Sequence, residues 1–501
     1  MKSMKINKKK ILYLLILFAL LLGGMVLRLY DLKDAPLDFH PTRQLWSAIK
    51  ARGMYYSITT DANIPQWQRT AAINQWKTEG LVEPTLLEWL VAYTYKIMGG
   101  INLWVSRIYT SLFWLIAALG IYLLSCEIAG EEGALAGVAL FLFYPYGVIA
   151  SRSFQPETLF IAALVFCGWS VLQWEKQRSL KWAIISGLLG GLAILFKAVA
   201  VFFVAGIWLG LLLSKMKPRD ILRNTQLWLA AFLSVIPYAI FMYYAFNVVG
   251  GYSEEFSLRF FPSLWFQIGF YLRWIGTLRQ TISLEWLVIG LIGVLMIREN
   301  HHRWMLIGLW IGYILFGFTL SYHISTHDYY NLPIFIMVAI GLAVVIQHFV
   351  NISEKKKWVK PLLLTILFFA VSVYAVETRS DLKRTNYSSE VAFWEDLGQT
   401  LGHDARVVAL SEDYGYRLEY WGWITPNNWM TTSDINVRKE AGQGYDFAQT
   451  FTSEIKNRDY FVVTMMDELA IQVDLKNQLY THYPVVSQSS RDVIFDLRNP
   501  K

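Results

Sequence analysis

The sequence reads as an α-helical polytopic membrane protein with about eleven transmembrane helices and a small C-terminal α/β soluble domain. Three observations predict this. The 501 residues are 55% hydrophobic and 16% aromatic with only 17% charged, and mean hydropathy is +0.36, above what a soluble domain carries. Apolar stretches recur between short polar loops from residue 11 to residue 376, each long enough to cross a hydrocarbon core of about 30 Å. After residue 376 that pattern stops and strand-like runs replace it.

Taken in order, the spans fall near 11–29, 103–124, 133–150, 157–174, 182–196, 199–214, 225–246, 281–297, 304–320, 331–350 and 361–376. The lysine-rich start ahead of the first span lacks a small-residue cleavage site, so that span reads as an uncleaved helix with a cytoplasmic N-terminus. Loops assigned to the cytoplasm then carry Lys176, Arg178 and Lys181; Lys215, Lys217, Arg219 and Arg223; Arg298 and Arg303; and Lys355, Lys356, Lys357 and Lys360, as the positive-inside rule requires. This placement turns the net charge of +7 into a topology signal and argues against nucleic acid as a partner. Cys126 and Cys167 have neither paired nor metal-ligand spacing, so no disulfide framework is expected.

The resulting division is a transmembrane module over 1–376, including an outer loop at 30–102, and an extracytoplasmic α/β domain over 377–501. Within the loop, LLEWLVAYTYKIM (86–98) has the periodicity of an amphipathic helix lying on the membrane, and the 252–275 segment reads the same way. The tail's strand signals are ARVVALS (405–411), DYFVVT (459–464) and DVIFDL (492–497). There is no internal repeat, which weakens an inverted-repeat transporter.

Residues able to do chemistry gather at the outer helix ends. Asp38, beside His40 and Arg43 in PLDFHPTRQ (36–44), is either a general base above the membrane or a helix cap. Glu83 in EPTLLEW (83–89) suits a cap before a helix whose first turn holds Pro84, or a metal ligand with a histidine, and Glu88 suits a solvated face. In SRSFQPE (151–157), Arg152 and Glu157 either pair with each other or present Glu157 to the outer vestibule. Lys197 interrupts the apolar run GLLGGLAILFKAVAVFFVAGIW and needs water or an anion. If that run is two short helices, Lys197 sits at their hairpin; otherwise it snorkels. His323, His327, Asp328, Tyr329 and Tyr330 cluster in SYHISTHDYYNLP (321–333), where tyrosines also serve as interfacial anchors. No HExxH, Walker or GxGxxG pattern occurs.

On LDFHPTRQ, EPTLLEWL, RSFQPE, GLLGGLAILFK and HDYYNLP, the chain resembles the C-type (GT-C) membrane glycosyltransferases, in the branch of bacterial homologues of protein O-mannosyltransferases and lipid A aminoarabinose transferases. The resemblance covers most of residues 10–376. It implies a polyprenyl-phosphate-linked sugar donor, Asp38 as catalytic acid/base centre and Glu157 as a second acidic group. It also implies Lys197 with His327 and Tyr330 on the phosphate side, with His40, Arg43, Glu83, Arg152 and Tyr329 as further substrate-binding positions. Where many members carry Asp-Glu in the first loop, this chain has Asp38-Phe39-His40.

The expected activity is therefore sugar transfer from a polyprenyl phosphate to a glycan, lipid or protein acceptor at the outer face of the plasma (inner) membrane. A transporter or flippase of lipid-linked saccharides is the alternative, and it calls for paired ionisable groups near the bilayer midplane. The sequence establishes no cofactor. Relatives differ in metal dependence, and a divalent metal is left open.

Overall fold

The computed structural model describes residues 8–60, 64–249, 260–353 and 358–501. Lys2 and Lys5, Lys355–Lys357, and residues 250–259 of the segment expected to be amphipathic lie outside the described residues. Packing divides the chain into two compact units, 1–32 with 81–84 and 106–385, and 33–80 with 85–105 and 386–501.

The first unit is helical and membrane-spanning. Among the described residues, six helices are long and apolar enough to cross a bilayer, beginning at Lys8, Trp104, Glu157, Thr225, Ile334 and Val359. Ile268–Ile282 and Leu284–Met296 add a seventh if taken as one span, although they bend by 89° at Ser283, whose φ of 52° interrupts the helix. The apolar run around Lys197 forms two shorter helices, Leu180–Phe196 and Ala200–Lys215. The expected 133–150 span is likewise broken, into Glu131–Phe143 and Pro145–Ala150, because Tyr144 before Pro145 is extended.

Without water to drive apolar faces together, these helices associate through close backbone approach. Gly206 on the Ala200–Lys215 helix and Gly308 on the Asn300–Thr319 helix face each other so closely that a Cβ on either would collide with the other's carbonyl oxygen. The exit of the first helix is fixed by three buried arginines. Arg28 donates to Ser151 Oγ at 2.8 Å and to the Gly24 and Leu142 carbonyls, Arg152 to the Asp31 carbonyl at 2.9 Å, and Arg107 to that of Leu32 at 3.0 Å. Carbonyl oxygens at a helix C-terminus carry partial negative charge, which offsets some of the cost of burying these cations.

The second unit contains the five-stranded sheet. Its strands are β1 (Val407–Leu410), β2 (Asn427–Asn428), β3 (Tyr460–Val463), β4 (Val485–Gln488) and β5 (Val493–Asp496), in the order β2-β1-β3-β5-β4. β1 pairs in parallel with β2 and β3, while β5 runs antiparallel to both β3 and β4. The buried strands β1, β3 and β5 coincide with the three apolar runs in the tail, and Trp429, Phe451, Leu475 and Leu479 pack against them.

Three helices from the 30–102 segment, Pro41–Ile58, Gln66–Thr78 and Leu86–Met98, belong to this same unit. Arg52 joins loop to tail. Buried and sandwiched between the rings of Tyr420 and Trp423 at 4.4 and 4.0 Å, it donates to Gln75 Oε1 at 2.7 Å and to the Glu419 and Tyr420 carbonyls. The Glu419 carboxyl is buried beside it, and its Oε1 has no hydrogen-bond partner among the described residues. Burial, reinforced by Glu79 and opposed by Arg52, pushes the Glu419 carboxyl up to about 8.

Candidate functional site

Lys197 is the centre of the polar cluster in the first unit. The Leu180–Phe196 helix ends on it, with Lys197 in extended conformation at φ −149°, and the next helix starts at Ala200. This is the two-helix form of the run, and it takes the ammonium out of regular helix. The group finds carboxylates there. Lys197 Nζ lies 3.1 Å from Glu83 Oε1 and forms a second ion pair and hydrogen bond with Glu157 Oε1. All three side chains are largely shielded, at 12%, 15% and 5% exposure, so the pairing acts where solvent screening is weak.

The two acids reach the lysine from different directions. Glu157 opens the Glu157–Gln177 helix directly after Pro156, and its other oxygen, Oε2, is buried without a hydrogen-bond partner among the described residues. Glu83 belongs to the 81–84 piece of the first unit. The helix that follows has Thr85 at its N-cap with no side-chain cap bond, so Glu83 is not its cap and Pro84 lies ahead of its first turn. Glu88 is buried and accepts from Ser47 Oγ at 2.8 Å, not solvated as its helical position suggests, because the helix packs against Pro41–Ile58.

Aromatic rings cover the lysine. Its Nζ lies 5.7 Å from the centre of the Tyr329 ring and 5.6 Å from that of Tyr330. Tyr330 also meets His323 at 5.5 Å, His327 at 6.1 Å and Phe316 at 6.0 Å between ring centres, and His327 Nδ1 is hydrogen-bonded to Thr326 Oγ1 at 2.8 Å. The turn carrying these groups is latched to the Ile268–Ile282 helix. Thr277 Oγ1 donates to the Ile324 carbonyl at 3.0 Å, Thr281 Oγ1 to that of Asp328 at 3.2 Å, and Asn331 Nδ2 to Thr277 Oγ1 at 3.2 Å. Tyr313 completes the latch by donating to Asn331 Oδ1. A small cavity of about 10 Å³ remains, lined by Glu157, Lys197, Phe160, Phe316, Tyr329 and Tyr330 among others.

Thus Glu83, Glu157, Lys197, Tyr329 and Tyr330 come together, with His327 beside the tyrosines. Arg152 is buried and holds the first helix exit through Asp31. Asp38, His40 and Arg43 belong to the second unit. There Gln44 Nε2 donates to the Phe39 carbonyl at 2.6 Å and approaches Asp38 Oδ1 at 3.5 Å, and the Arg43 guanidinium lies 4.6 Å from the Trp46 ring. His40, at φ 43°, occupies the N-cap of Pro41–Ile58, so Asp38 is not that helix's cap.

The pocket walls Phe160, Phe316 and Pro333, and the Thr277–Asn331 latch, escape sequence reasoning because apolar residues and isolated hydroxyls inside spans carry no local signal. Among the described residues no group of three or more His, Cys, Asp or Glu side chains is placed to hold a metal ion. The Glu83 and Glu157 carboxylates converge on an ammonium, so the donor set does not fit a divalent cation.

Comparison with known proteins agrees with this architecture. Residues 82–244 match the family model of the dolichyl-phosphate-mannose-protein mannosyltransferases. ArnT from Cupriavidus metallidurans bound to undecaprenyl phosphate superposes with a TM-score of 0.56 at 15% identity, covering 97% of each chain. The archaeal oligosaccharyltransferase AglB from Archaeoglobus fulgidus, in complex with an inhibitory peptide and a dolichol-phosphate, gives 0.57 at 12% identity over 97% of this chain and 74% of its own. Mycobacterial arabinofuranosyltransferase AftD gives 0.54 at 14% identity, with 96% of this chain and 41% of AftD covered. By sequence alone no curated protein matches. The chain is accordingly a multi-pass membrane protein with the C-type glycosyltransferase fold, resembling the branch of the protein O-mannosyltransferases and lipid A aminoarabinose transferases.

Proposed function

We propose that the chain transfers a sugar from a polyprenyl-phosphate carrier to an acceptor at the extracytoplasmic face of the plasma (inner) membrane, inverting the anomeric carbon. Its N-terminus is then cytoplasmic and its C-terminal domain extracytoplasmic. The observation that carries this reading is the ion cluster of Lys197, Glu83 and Glu157 under Tyr329 and Tyr330, where two short apolar helices meet in a chain of this fold. The lipid phosphates named with ArnT and AglB support the donor class.

In this scheme an acceptor hydroxyl attacks the anomeric carbon while the bond from that carbon to the carrier phosphate oxygen breaks. The electron pair leaves with the polyprenyl phosphate, and the acceptor's proton passes to a carboxylate, which we assign to Asp38. One base suffices because phosphate is already a good leaving group. Lys197, with His327 and Tyr330, is assigned to the phosphate. Lysine has three N–H donors, and two carboxylates beside an incoming anion repel it, so phosphate binding exchanges at least one of Glu83 and Glu157 for a phosphate oxygen. Glu157 released in this way is the second acidic group. His40, Arg43, Arg152 and Tyr329 position donor and acceptor.

The test is reconstitution in lipid vesicles with radiolabelled polyprenyl-phosphate sugars and glycan, lipid or protein acceptors. Product should form with the wild type and with Lys476→Gln in the tail, and be lost with Asp38→Asn. Movement of the labelled lipid across the vesicle without product would overturn transfer in favour of a flippase.

A further inference from the structure

The C-terminal sheet contains a cleft of about 460 Å³ that the transfer scheme does not use. Its position follows from topology. β1 and β3 are parallel neighbours, yet the chain leaves β1 toward β2 on one side and leaves β3 toward β4 and β5 on the other. The two connections diverge at the carboxyl ends of the strands, and such a divergence leaves a crevice in open α/β sheets. Glu412 follows β1 and Thr464–Glu468 follow β3, and both line the cleft, with Arg491 from the β4–β5 turn and Phe393 from the Ser388–Leu401 helix.

The lining chemistry narrows the ligand. Thr464 Oγ1 donates to Glu412 Oε2, which ties the two lips together. Glu468 is consumed internally by Thr432 and by Gln472 at 2.8 Å. Asp467 is exposed and has no partner among the described residues. Arg491 stacks on the Phe393 ring at 3.9 Å and is paired with Glu390 at 2.7 Å. Carboxylates outnumber the single cation, so an anionic ligand is repelled, and no three-ligand metal group exists among the described residues. A cationic ligand would meet Arg491 in the same lining, so the mixture of acids, one guanidinium and apolar side chains favours a neutral ligand with many O–H donors, some acceptors for the guanidinium and a C–H face for Phe393, Met465 and Met466.

The backbone beside the cleft is unusual. Asp413, Tyr414 and Gly415, directly after Glu412, all have positive φ, at 53°, 55° and 79°. Side chains hold this costly run in place, through Arg417 on Asp413, Thr42 on Asp413 at 2.9 Å and Tyr414 on Asp434 at 3.0 Å.

We propose that this cleft is a saccharide-binding site for a neutral, hydroxyl-rich glycan, with Glu412 and Asp467 accepting sugar hydroxyls and Arg491 donating beside Phe393. It stands on its own geometry, and its readout is binding, independent of turnover. The full chain in lipid nanodiscs is titrated with maltotriose, mannotriose and chitotriose by calorimetry and saturation-transfer NMR. At least one binds with Kd below about 10 mM. Glu412→Gln, Asp467→Asn and Arg491→Ala each weaken it about tenfold with the chain still folded by its Tm, and Lys476→Gln does not. Absence of binding by all three sugars, binding indifferent to the three cleft variants, or tighter binding of trilysine or inorganic phosphate at the cleft would each overturn the proposal.

Discussion

Lys197 Nζ sits 3.1 Å from Glu83 Oε1, and the same ammonium is gripped by Glu157, so one cation holds two acids from separate segments of the first unit. Removing the cation takes a buried counter-charge from both. Lys197→Met should lower stability by about 3–5 kcal/mol and abolish transfer. Adding Glu83→Gln and Glu157→Gln should restore much of the Tm but none of the activity. Thermal unfolding in detergent and the vesicle transfer assay report the two effects separately.

Gln44 Nε2 approaches Asp38 Oδ1 at 3.5 Å, and the helix that follows is capped at His40 and not at Asp38. Asp38→Asn keeps the side chain's size and a carbonyl acceptor, and no helix cap is lost with it, so stability should stay within about 1 kcal/mol of wild type. The same change should lower kcat about 100-fold or more if Asp38 takes the acceptor proton. A fall in Tm matching the fall in rate would instead mark Asp38 as structural.

The latch between the His/Tyr turn and its supporting helix should be separable from both. Asn331→Leu takes the acceptor from the buried Tyr313 hydroxyl and one donor from the Thr277 hydroxyl, at a cost of about 1–3 kcal/mol. Because the turn carries Tyr329 and Tyr330, the donor KM should rise together with the loss of Tm. An unchanged KM would show that the turn holds its position without Asn331.

Glu419 gives a pH signature to the second unit. Its carboxyl moves from an ordinary value of 4.5 up to about 8 because burial, aided by Glu79, disfavours the charged form. Folding thus favours the proton, and this contribution is complete below about pH 4.5 and is lost as pH rises through about 8. Between those limits the second unit should lose a few kcal/mol. Glu419→Gln should flatten the dependence of Tm on pH between 5 and 9 and raise Tm at the alkaline end. Parallel curves for the two proteins would refute this.

Much of the architecture is written in local sequence. The interruption of an apolar run by Lys197 marked a helix break, and the runs at 405–411, 459–464 and 492–497 became β1, β3 and β5 because strands buried on both faces are continuously apolar. β2 is only Asn427–Asn428 and β4 is largely exposed, so neither has an apolar signature. The partners of Lys197 were hidden for a different reason. Glu83 sat in a plausible capping position and Glu157 near Arg152, and only tertiary packing decides which cation each acid meets. Packing likewise joins the 33–80 and 85–105 segments to the tail through residues such as Arg52, whose buried contacts leave no periodic trace.

The cavity beside Lys197, at about 10 Å³, has room for one water molecule and none for a pyranose ring. Under the proposed transfer, seating the carrier phosphate against Lys197 means moving the tyrosine turn, so part of the binding free energy goes into that movement. In that scheme the tyrosine turn has both to yield to the donor and to re-form its contacts around it.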